Sequence, residues 1–374
     1  MRIEVIDNNA GFSELESPWR TLQCECTAPT IFLTWEWISV WWAAYGDQKT
    51  PYVLTVFDDD QLVGVAAFYL TSVRRFKLEF RALRLMGDGS FDSDYLDFLS
   101  LSGCEAKVAE AVAAFLQSDG AVNWDLLLLN EVPSGSLHLA ALRQVLEGSD
   151  FYRDEQNVGC PIITLPASWD DYLKTLKPRM RTKVRSLCRK LEENHQVAFE
   201  MCNDSDELLE KLGSLYALHH ERWQLRDQQG VFARDAKRRF YRDMSAKFLE
   251  NGWLRFYSLK VDGAYVAHQF CFEYEGVVSL LQEGFDPQWQ EQGVGNVLRA
   301  YVLRDCIERK VKTYDFLAGV SRHKTSWGTE INTNIRLFVG RKNLKGRIYF
   351  RLLELVRKIR RIMSRPTESV TGVQ

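Results

Sequence analysis

Apolar positions along this chain alternate between a two-residue and a helical period, and the changes of period mark out its elements. Tyr52–Phe57 and Leu62–Leu70 are apolar runs on either side of Asp58-Asp59-Asp60, the pattern of two strands joined by a turn. A strand is expected at Tyr95–Leu99, a helix near Glu105–Leu116 and a further strand at Trp124–Leu129. The second half repeats this rhythm. Trp253–Val261 and Tyr265–Phe272 flank Asp262-Gly263, a strong hairpin dipeptide, and Glu275-Gly276 turns the chain into Val277–Gln282. Val297, Leu298, Tyr301, Val302 and Cys306 then continue at helical spacing to about Arg309, and Thr313–Leu317 reads as another strand. A break at Gly159-Cys160-Pro161, before the strand-like Ile162–Leu165, is the expected junction of the two halves.

Several helices carry more than packing information. Leu176, Met180, Val184, Leu187 and Leu191 make an apolar stripe on a helix from Pro178 to Lys190, whose other positions include Lys183, Arg185 and Arg189. Those cations either meet the phosphates of a ligand or are solvated beside Glu192 and Glu193. His219 and His220 share a helix opened by Asp204 or Ser205; they point about 100° apart, so a joint metal site is not expected. Phe32, Trp35, Trp37, Trp41 and Trp42 fall within eleven residues, and core packing is favoured there over stacking on sugar rings. From Arg341 to Arg365 there are ten Lys/Arg and one acid, Glu354, with Ile348, Leu352, Leu355, Ile359 and Ile362 at helical steps. The basic amphipathic helix expected there suits docking on protein, or peripheral contact with an anionic membrane through residues 341–365. Residues 366–374 are expected to be disordered.

Composition narrows the class. A chain of 374 residues exceeds one typical core, so two domains are expected, 1–160 and 161–340, followed by the helix and tail of 341–374. A content of 46% hydrophobic and 26% charged residues fits a folded globular protein. The net charge of −2 gives no push toward nucleic acid, and none is expected as a partner. No apolar run reaches the length of a membrane span, and Met1-Arg2-Ile3-Glu4-Val5 is not a signal peptide. Eight scattered cysteines, with no second pair or histidine cluster near Cys24 and Cys26, point to reduced thiols and a cytoplasmic setting without a metal.

The chemistry concentrates between Pro287 and Gly295. An apolar strand, a glycine turn and a helix start bring backbone N–H donors together, where an anion is held by unpaired amides and the helix dipole. Gly293 and Gly295 permit positive φ and remove the Cβ atoms that would hold a phosphate away. Gln282, Gln290, Gln292, Gly293, Val294, Gly295 and Asn296 are the candidate diphosphate contacts. Neither Gly-Lys-Ser/Thr nor Gly-x-Gly-x-x-Gly is present here. The plain alternative is a strand-to-helix turn whose glycines serve only tight packing.

The motif Gln290-x-x-Gly293-x-Gly295 resembles the pyrophosphate loop of GNAT acyltransferases, which hold coenzyme A. Over roughly residues 10 to 340 the chain resembles the BioF2-like, or CelD-like, acetyltransferases, relatives of the FemABX peptidyltransferases. The likeness is carried by Asp94-Tyr95-Leu96-Asp97, the basic run Lys177 to Arg185, the glycine loop, Tyr314-Asp315-Phe316-Leu317-Ala-Gly319 and His323-Lys324-Thr-Ser-Trp327. In many relatives a tyrosine stands where this chain has His323. The resemblance implies an α/β fold of tandem GNAT-like domains with mixed twisted sheets flanked by helices, the first domain degenerate and the second holding the acyl donor. It implies acetyl-CoA or another acyl-CoA as cosubstrate. It also implies a small-molecule or saccharide amine acceptor between the domains, often in cell-envelope or exopolysaccharide work. Asp94, Tyr95, Arg181, Arg185 and Trp327 lie in the shared elements and are the candidate substrate contacts.

Acyl transfer from a thioester to an amine needs a base for the amine proton and a polarised carbonyl. Glu283 closes the strand before the loop, Asp315 ends the next strand, and His268 lies in the hairpin strand Tyr265–Phe272. Each is a candidate base with a bland counterpart: a salt bridge, a turn-orienting carboxylate and a satisfied core histidine. Lys324 is a candidate oxyanion partner, as the resemblance implies, or a solvated loop lysine. No serine or cysteine stands in a nucleophile setting, so direct transfer in a ternary complex is expected. Two other readings stay open: a Fem-like enzyme fed by aminoacyl-tRNA, and a non-catalytic module binding a polysaccharide or a partner.

Overall fold

The protein is described from a computed structural model that covers residues 1–27, 30–147, 151–224 and 230–363, with side chains described to 221 in the third segment and to 358 in the last. The expectation for 366–374 falls outside the described residues. The chain opens with β1 (Arg2–Ile6), α1 (Asn9–Glu14), α2 (Glu16–Cys24) and the tryptophan-rich α3 (Trp35–Tyr45). A meander follows, β2 (Thr50–Asp58), β3 (Gln61–Arg75) and β4 (Leu78–Leu85). The short β5 (Leu99–Ser100) leads to α4 (Glu105–Gln117), β6 (Leu126–Pro133), α5 (Leu137–Leu146) and β7 (Phe151–Thr164). Helices α6 (Trp169–Thr175) and α7 (Pro178–Asn194) connect to β8 (Val197–Met201), α8 (Ser205–Gln224) and α9 (Asp235–Glu250). A second meander is formed by β9 (Leu254–Val261), β10 (Ala264–Tyr274) and β11 (Val277–Phe285). The chain closes with α10 (Val294–Glu308), β12 (Thr313–Asp315), α11 (Arg322–Thr325), β13 (Glu330–Arg341) and α12 (Leu344–Met363).

The strands form one mixed sheet in the order β1-β2-β3-β4-β6-β13-β7-β12-β11-β10-β9-β8, with β5 attached to β3. The order exposes a duplication. Each half is a meander followed by a parallel pair joined across a helix: β4 beside β6 across α4, and β11 beside β12 across α10. The two last strands are then exchanged. β7, from the first half, pairs with β12, while β13, from the end of the second, pairs with β6. At the centre β7 and β13 run antiparallel from Ile162 opposite Glu330 to Phe151 opposite Arg341. The expected junction at 159–161 therefore lies inside a continuous strand.

Local chemistry accounts for most boundaries. Asp262 and Gly263 both take positive φ, 50° and 85°, as the two-residue hairpin turn between β9 and β10 requires. The Asp204 carboxylate accepts the N–H groups of Asp206 and Glu207 and caps α8. The strand expected at Tyr95–Leu99 shrinks to Leu99–Ser100, because Gly87, Gly89, Phe91 and Tyr95 all take positive φ and break extended pairing. That loop is seated by a sealed polar chain: Ser100 Oγ lies 2.8 Å from His138 Nε2, and His138 Nδ1 lies 3.1 Å from Asp97. Ser100 is 2% exposed, so the trio ties β5 to α5 and does not meet a substrate.

The seam between the halves is aromatic. Trp37 of α3 packs against Phe240 and Phe248 of α9 and Phe272 of β10, and Phe32 also touches Phe272. Beside them Asp92 is enclosed with Lys237, which also donates to the Ser90 carbonyl at 3.2 Å, while the Tyr45 hydroxyl donates to Asp92 at 3.1 Å. A buried carboxylate and ammonium are tolerated because each is paired and hydrogen-bonded. At the C-terminal end α12 lays Tyr349, Phe350 and Leu353 on Phe80, Ala82, Leu126 and Leu128. No described helix is long and apolar enough to cross a membrane.

Candidate active site

One extra residue decides which side chains meet in the second half. β10 and β11 pair regularly from Tyr274 opposite Val277 to Cys271 opposite Leu280, and the register resumes at Phe270 opposite Gln282. Leu281 is the surplus residue of a β-bulge. Before it, Val278 and Leu280 belong to the core beneath α10. Strict alternation would send Gln282 to that face and Glu283 away from it. The bulge reverses this. Glu283 now lies opposite Gln269 and Phe285 opposite Ala267, on the α10 face, while Gln282 reaches Tyr241 on the other.

The same region is where the sheet comes apart. β11 is paired with β12 only over Val277–Ser279, and β12 ends at Asp315. Leu280–Phe285 thus runs on alongside a gap. The gap holds a cavity of about 230 Å³ lined by Gln269, Glu283, Arg299 and His323 and by Gln290 and the turn Gly293–Asn296.

The turn is shaped for amides. Gly293 is the cap of α10 at φ 67°, and a Cβ there would sit 2.9 Å from Leu187 Cδ1 on α7. Both the backbone and the packed helix demand glycine. Gly295 is different: a Cβ would meet only Phe285, at 3.5 Å, so its bareness serves the cavity. Val294 and Gly295 are the first two helical positions, whose N–H groups have no carbonyl one turn back, and Gly293 has no side chain to accept them. The Asn296 N–H is already given to the Gly293 carbonyl at 2.8 Å. Of the seven expected contacts, the cradle therefore centres on two, the amides of Val294 and Gly295. Gln292 is exposed and, like Gln282, is not among the lining residues.

Glu283 and His268 are the two candidate bases among the residues lining the cavity. The Glu283 carboxylate pairs with Arg299 of α10, and His323 Nε2 lies 3.7 Å from its other oxygen. Arg299 is 4% exposed and lies over the rings of Phe316 and Trp327, at 5.1 and 5.6 Å. Trp327 is fully buried under that guanidinium and offers no open face to an acceptor. His268 is buried with both ring nitrogens engaged, Nδ1 with Ser258 Oγ at 2.9 Å and Nε2 with Ser214 Oγ at 2.8 Å. Burial pulls its pKa down to about 3, so it stays neutral and committed.

Asp94, Tyr95, Asp315 and Lys324 gather in a second cluster, at the seam. Tyr95 donates to Asp315 at 2.6 Å, the Leu317 N–H donates to Asp315 at 2.7 Å, and the Ala318 N–H donates to Asp94 at 3.1 Å. Burial lifts Asp94 to about 7 and Asp315 to about 6. Lys324 Nζ donates to the carbonyls of Phe316, Leu317 and Ala318 at 2.8, 3.3 and 3.0 Å. All three ammonium protons hold the loop after β12, so in this state none is turned to a reacting oxygen. Arg181 donates to the carbonyls of Lys174 and Leu176 at 3.1 and 3.2 Å, and Arg185 is exposed, 3.9 Å from Asp170. Neither lines the cavity.

Sequence reasoning passed over Arg299, Gln269 and Tyr314. Arg299 had a signal: it is the single charge in the run Val297, Leu298, Ala300, Val302, Leu303, all buried. Gln269 and Tyr314 had none, since one reads as a strand polar residue and the other as a core aromatic.

Comparison with known proteins agrees with this geometry. Residues 178–325, from the first residue of α7 to the last of α11, match the family described as the acetyltransferase (GNAT) domain. No curated protein sequence matches the chain. Among solved structures it is similar to FemX, with a TM-score of 0.61 at 13% identity, covering 95% of this chain and 100% of that one. It is also similar to a domain described as the C-terminal part of a lysylphosphatidylglycerol synthetase from Agrobacterium fabrum, with a TM-score of 0.54 at 8% identity over 92% and 96% of the two chains. L-PGS from Bacillus licheniformis gives 0.52 at 12% identity over 87% and 92%. At these identities the likeness speaks of fold. With a splayed sheet and a glycine-capped helix, residues 178–325 form a domain of the acetyltransferase (GNAT) type, and the chain as a whole shares its fold with FemX.

Proposed function

We propose that the protein is an N-acyltransferase that takes an acetyl group from acetyl-CoA and passes it directly to an amine. The observation that carries this reading is the turn Gly293–Asn296, whose Val294 and Gly295 N–H groups have no backbone acceptor, lining a cavity that also contains Glu283. The diphosphate of the donor fits those amides and the helix dipole. Its pantetheine arm fits the edge of Leu280–Phe285, where β11 has left β12 and its backbone groups lack a ladder on that side.

The transfer then balances simply. The amine nitrogen attacks the thioester carbonyl carbon, Glu283 takes a proton from that nitrogen, the C–S bond breaks, and the thiolate leaves to take up a proton. Arg299 fixes the carboxylate in place. Glu283 accepts its proton as the new N–C bond makes the amine acidic. In this reading the acceptor approaches from the seam, where Asp94 and Tyr95 of the first half stand beside Ala318 and Asp315.

The acceptor class we favour is an amino sugar of cell-envelope or exopolysaccharide material. The C-terminal surface supports a position at the inner face of an anionic membrane. With Tyr349 and Phe350 docked on the sheet, Arg347, Arg351, Lys358 and Leu355 are exposed, and Phe76 at the tip carrying Arg74, Arg75 and Lys77 touches Tyr349.

The likeness to FemX sustains a second reading, in which aminoacyl-tRNA supplies the acyl group. FemX is covered along its whole length, so overall architecture does not separate the two donors. Calorimetric titration with acetyl-CoA, together with transfer of labelled acetyl to glucosamine, tests the first reading. If Glu283→Gln, Asp315→Asn and Lys324→Ala all still complement a deletion, the protein is not acting as an enzyme at this site.

A further inference from the structure

Behind the cavity wall lies a polar chain with one loose end. Arg299 lies near enough to Tyr314 to interact with it electrostatically, and the Tyr314 hydroxyl, fully buried, donates to Gln269 Oε1 at 3.0 Å. In that orientation the carboxamide nitrogen faces away from Tyr314. Gln269 is 1% exposed, lines the cavity and sits opposite Glu283 across the ladder, yet its Nε2 has no partner. The Nε of Arg299, another residue of the cavity lining, is likewise unpaired. Buried donors without acceptors are costly and rare, and here two belong to side chains of one cavity wall, beside the candidate base.

The charge pattern says what they await. Arg299 is neutralised by Glu283, so the loose donors do not call for a full anion. They suit a neutral oxygen that becomes negative during reaction. A guanidinium beside a hydroxyl that donates to a carboxamide polarises the final N–H. Resting on the acyl-CoA reading above, we propose that Gln269 Nε2–H donates to the thioester carbonyl oxygen of the acyl donor and stabilises it as charge builds there. Gln269 is then a catalytic residue, and Tyr314 and Arg299 are positioning residues acting through it.

The test needs no acceptor. The carbonyl stretch of [1-13C]acetyl-CoA is followed by difference infrared spectroscopy on wild-type protein, Gln269→Met and Tyr314→Phe, with calorimetry of acetyl-CoA in parallel. The stretch is expected at lower frequency in the wild type than in Gln269→Met. Tyr314→Phe should lie between them, since the donor remains but loses its anchor, and affinity should be unchanged. Should Gln269→Met fail to fold, Gln269→Glu keeps the shape and the Tyr314 contact and serves the same comparison. Turnover with glucosamine should fall on the order of 100-fold in kcat, with KM little altered, as for loss of one oxyanion donor. An identical stretch in wild type and variant, both binding acetyl-CoA, overturns this assignment and leaves the acyltransferase reading standing. A wild-type protein that binds no acetyl-CoA overturns both.

Discussion

Glu283 meets Arg299 because Leu281 is bulged out of the ladder between β10 and β11. One residue of offset turns the carboxylate from the α8 side of the sheet to the α10 side and delivers it to the cavity. Removing the charge while keeping the shape tests what this arrangement is for. Glu283→Gln should lower kcat by about 10²- to 10⁴-fold, the usual worth of a positioned base, with acetyl-CoA affinity retained. Glu283→Ala should also destabilise the fold by roughly 3 kcal/mol, because the Arg299 guanidinium is left buried without its carboxylate. Steady-state rates and thermal unfolding separate the two effects.

The two glycines of the turn are predicted to fail differently. Gly293→Ala forces a Cβ into Leu187 at a left-handed φ, so it should lose about 1–2 kcal/mol of stability together with acetyl-CoA binding. Gly295→Ala meets only Phe285 at van der Waals distance. It should keep wild-type stability and still weaken acetyl-CoA at least about tenfold, since its methyl group stands where the diphosphate approaches the amides. Calorimetry and thermal unfolding on both variants decide the matter.

Three buried groups predict opposite responses to pH. His268 is held at about 3 by burial, against an ordinary 6.5. Below 6.5 the unfolded chain binds a proton that the folded one refuses, so this contribution weakens stability as pH falls toward 3. Asp94 and Asp315 are raised to about 7 and about 6 from 3.8. The folded protein keeps protons that the unfolded chain releases. Their stabilisation is therefore complete below 3.8 and is lost as pH rises to about 7. Asp94→Asn removes one such loss and keeps an acceptor for the Ala318 N–H. Relative to wild type it should gain roughly 2–4 kcal/mol between pH 4 and pH 8. A pH-independent difference in urea unfolding would refute the assignment.

Membrane contact makes a separate prediction. Arg347→Glu with Arg351→Glu reverses charge on the exposed side of α12 without touching Tyr349 or Phe350. The wild type should sediment with phosphatidylglycerol vesicles at low salt, not with phosphatidylcholine vesicles, and the double variant should stay in solution.

Much of the fold was legible in the sequence because its signals are local. Asp262-Gly263 announced a hairpin, and the stripe Leu176 to Leu191 announced α7 with its buried face. The strand expected at Tyr95–Leu99 misled, since apolar residues there fill the core from a loop held by Tyr95 and Asp315 across the seam. The exchange of β7 and β13 was invisible, as no local pattern encodes which distant strand a partner will be. At the site, the glycines and Glu283 could be named from spacing alone. That Glu283 faces the cavity depends on a bulge, and the chain Arg299–Tyr314–Gln269 depends on three elements meeting. Lys324 illustrates the reverse case. Its position suggested a free cation, but folding places three carbonyls around it.

The most direct measurement is titration of the full chain with acetyl-CoA by calorimetry, comparing the wild type with Gly295→Ala. Saturable micromolar binding (about −8 kcal/mol) that weakens in the variant is the predicted result. No heat with acetyl-CoA, alongside acyl transfer supported by aminoacyl-tRNA, would contradict the account.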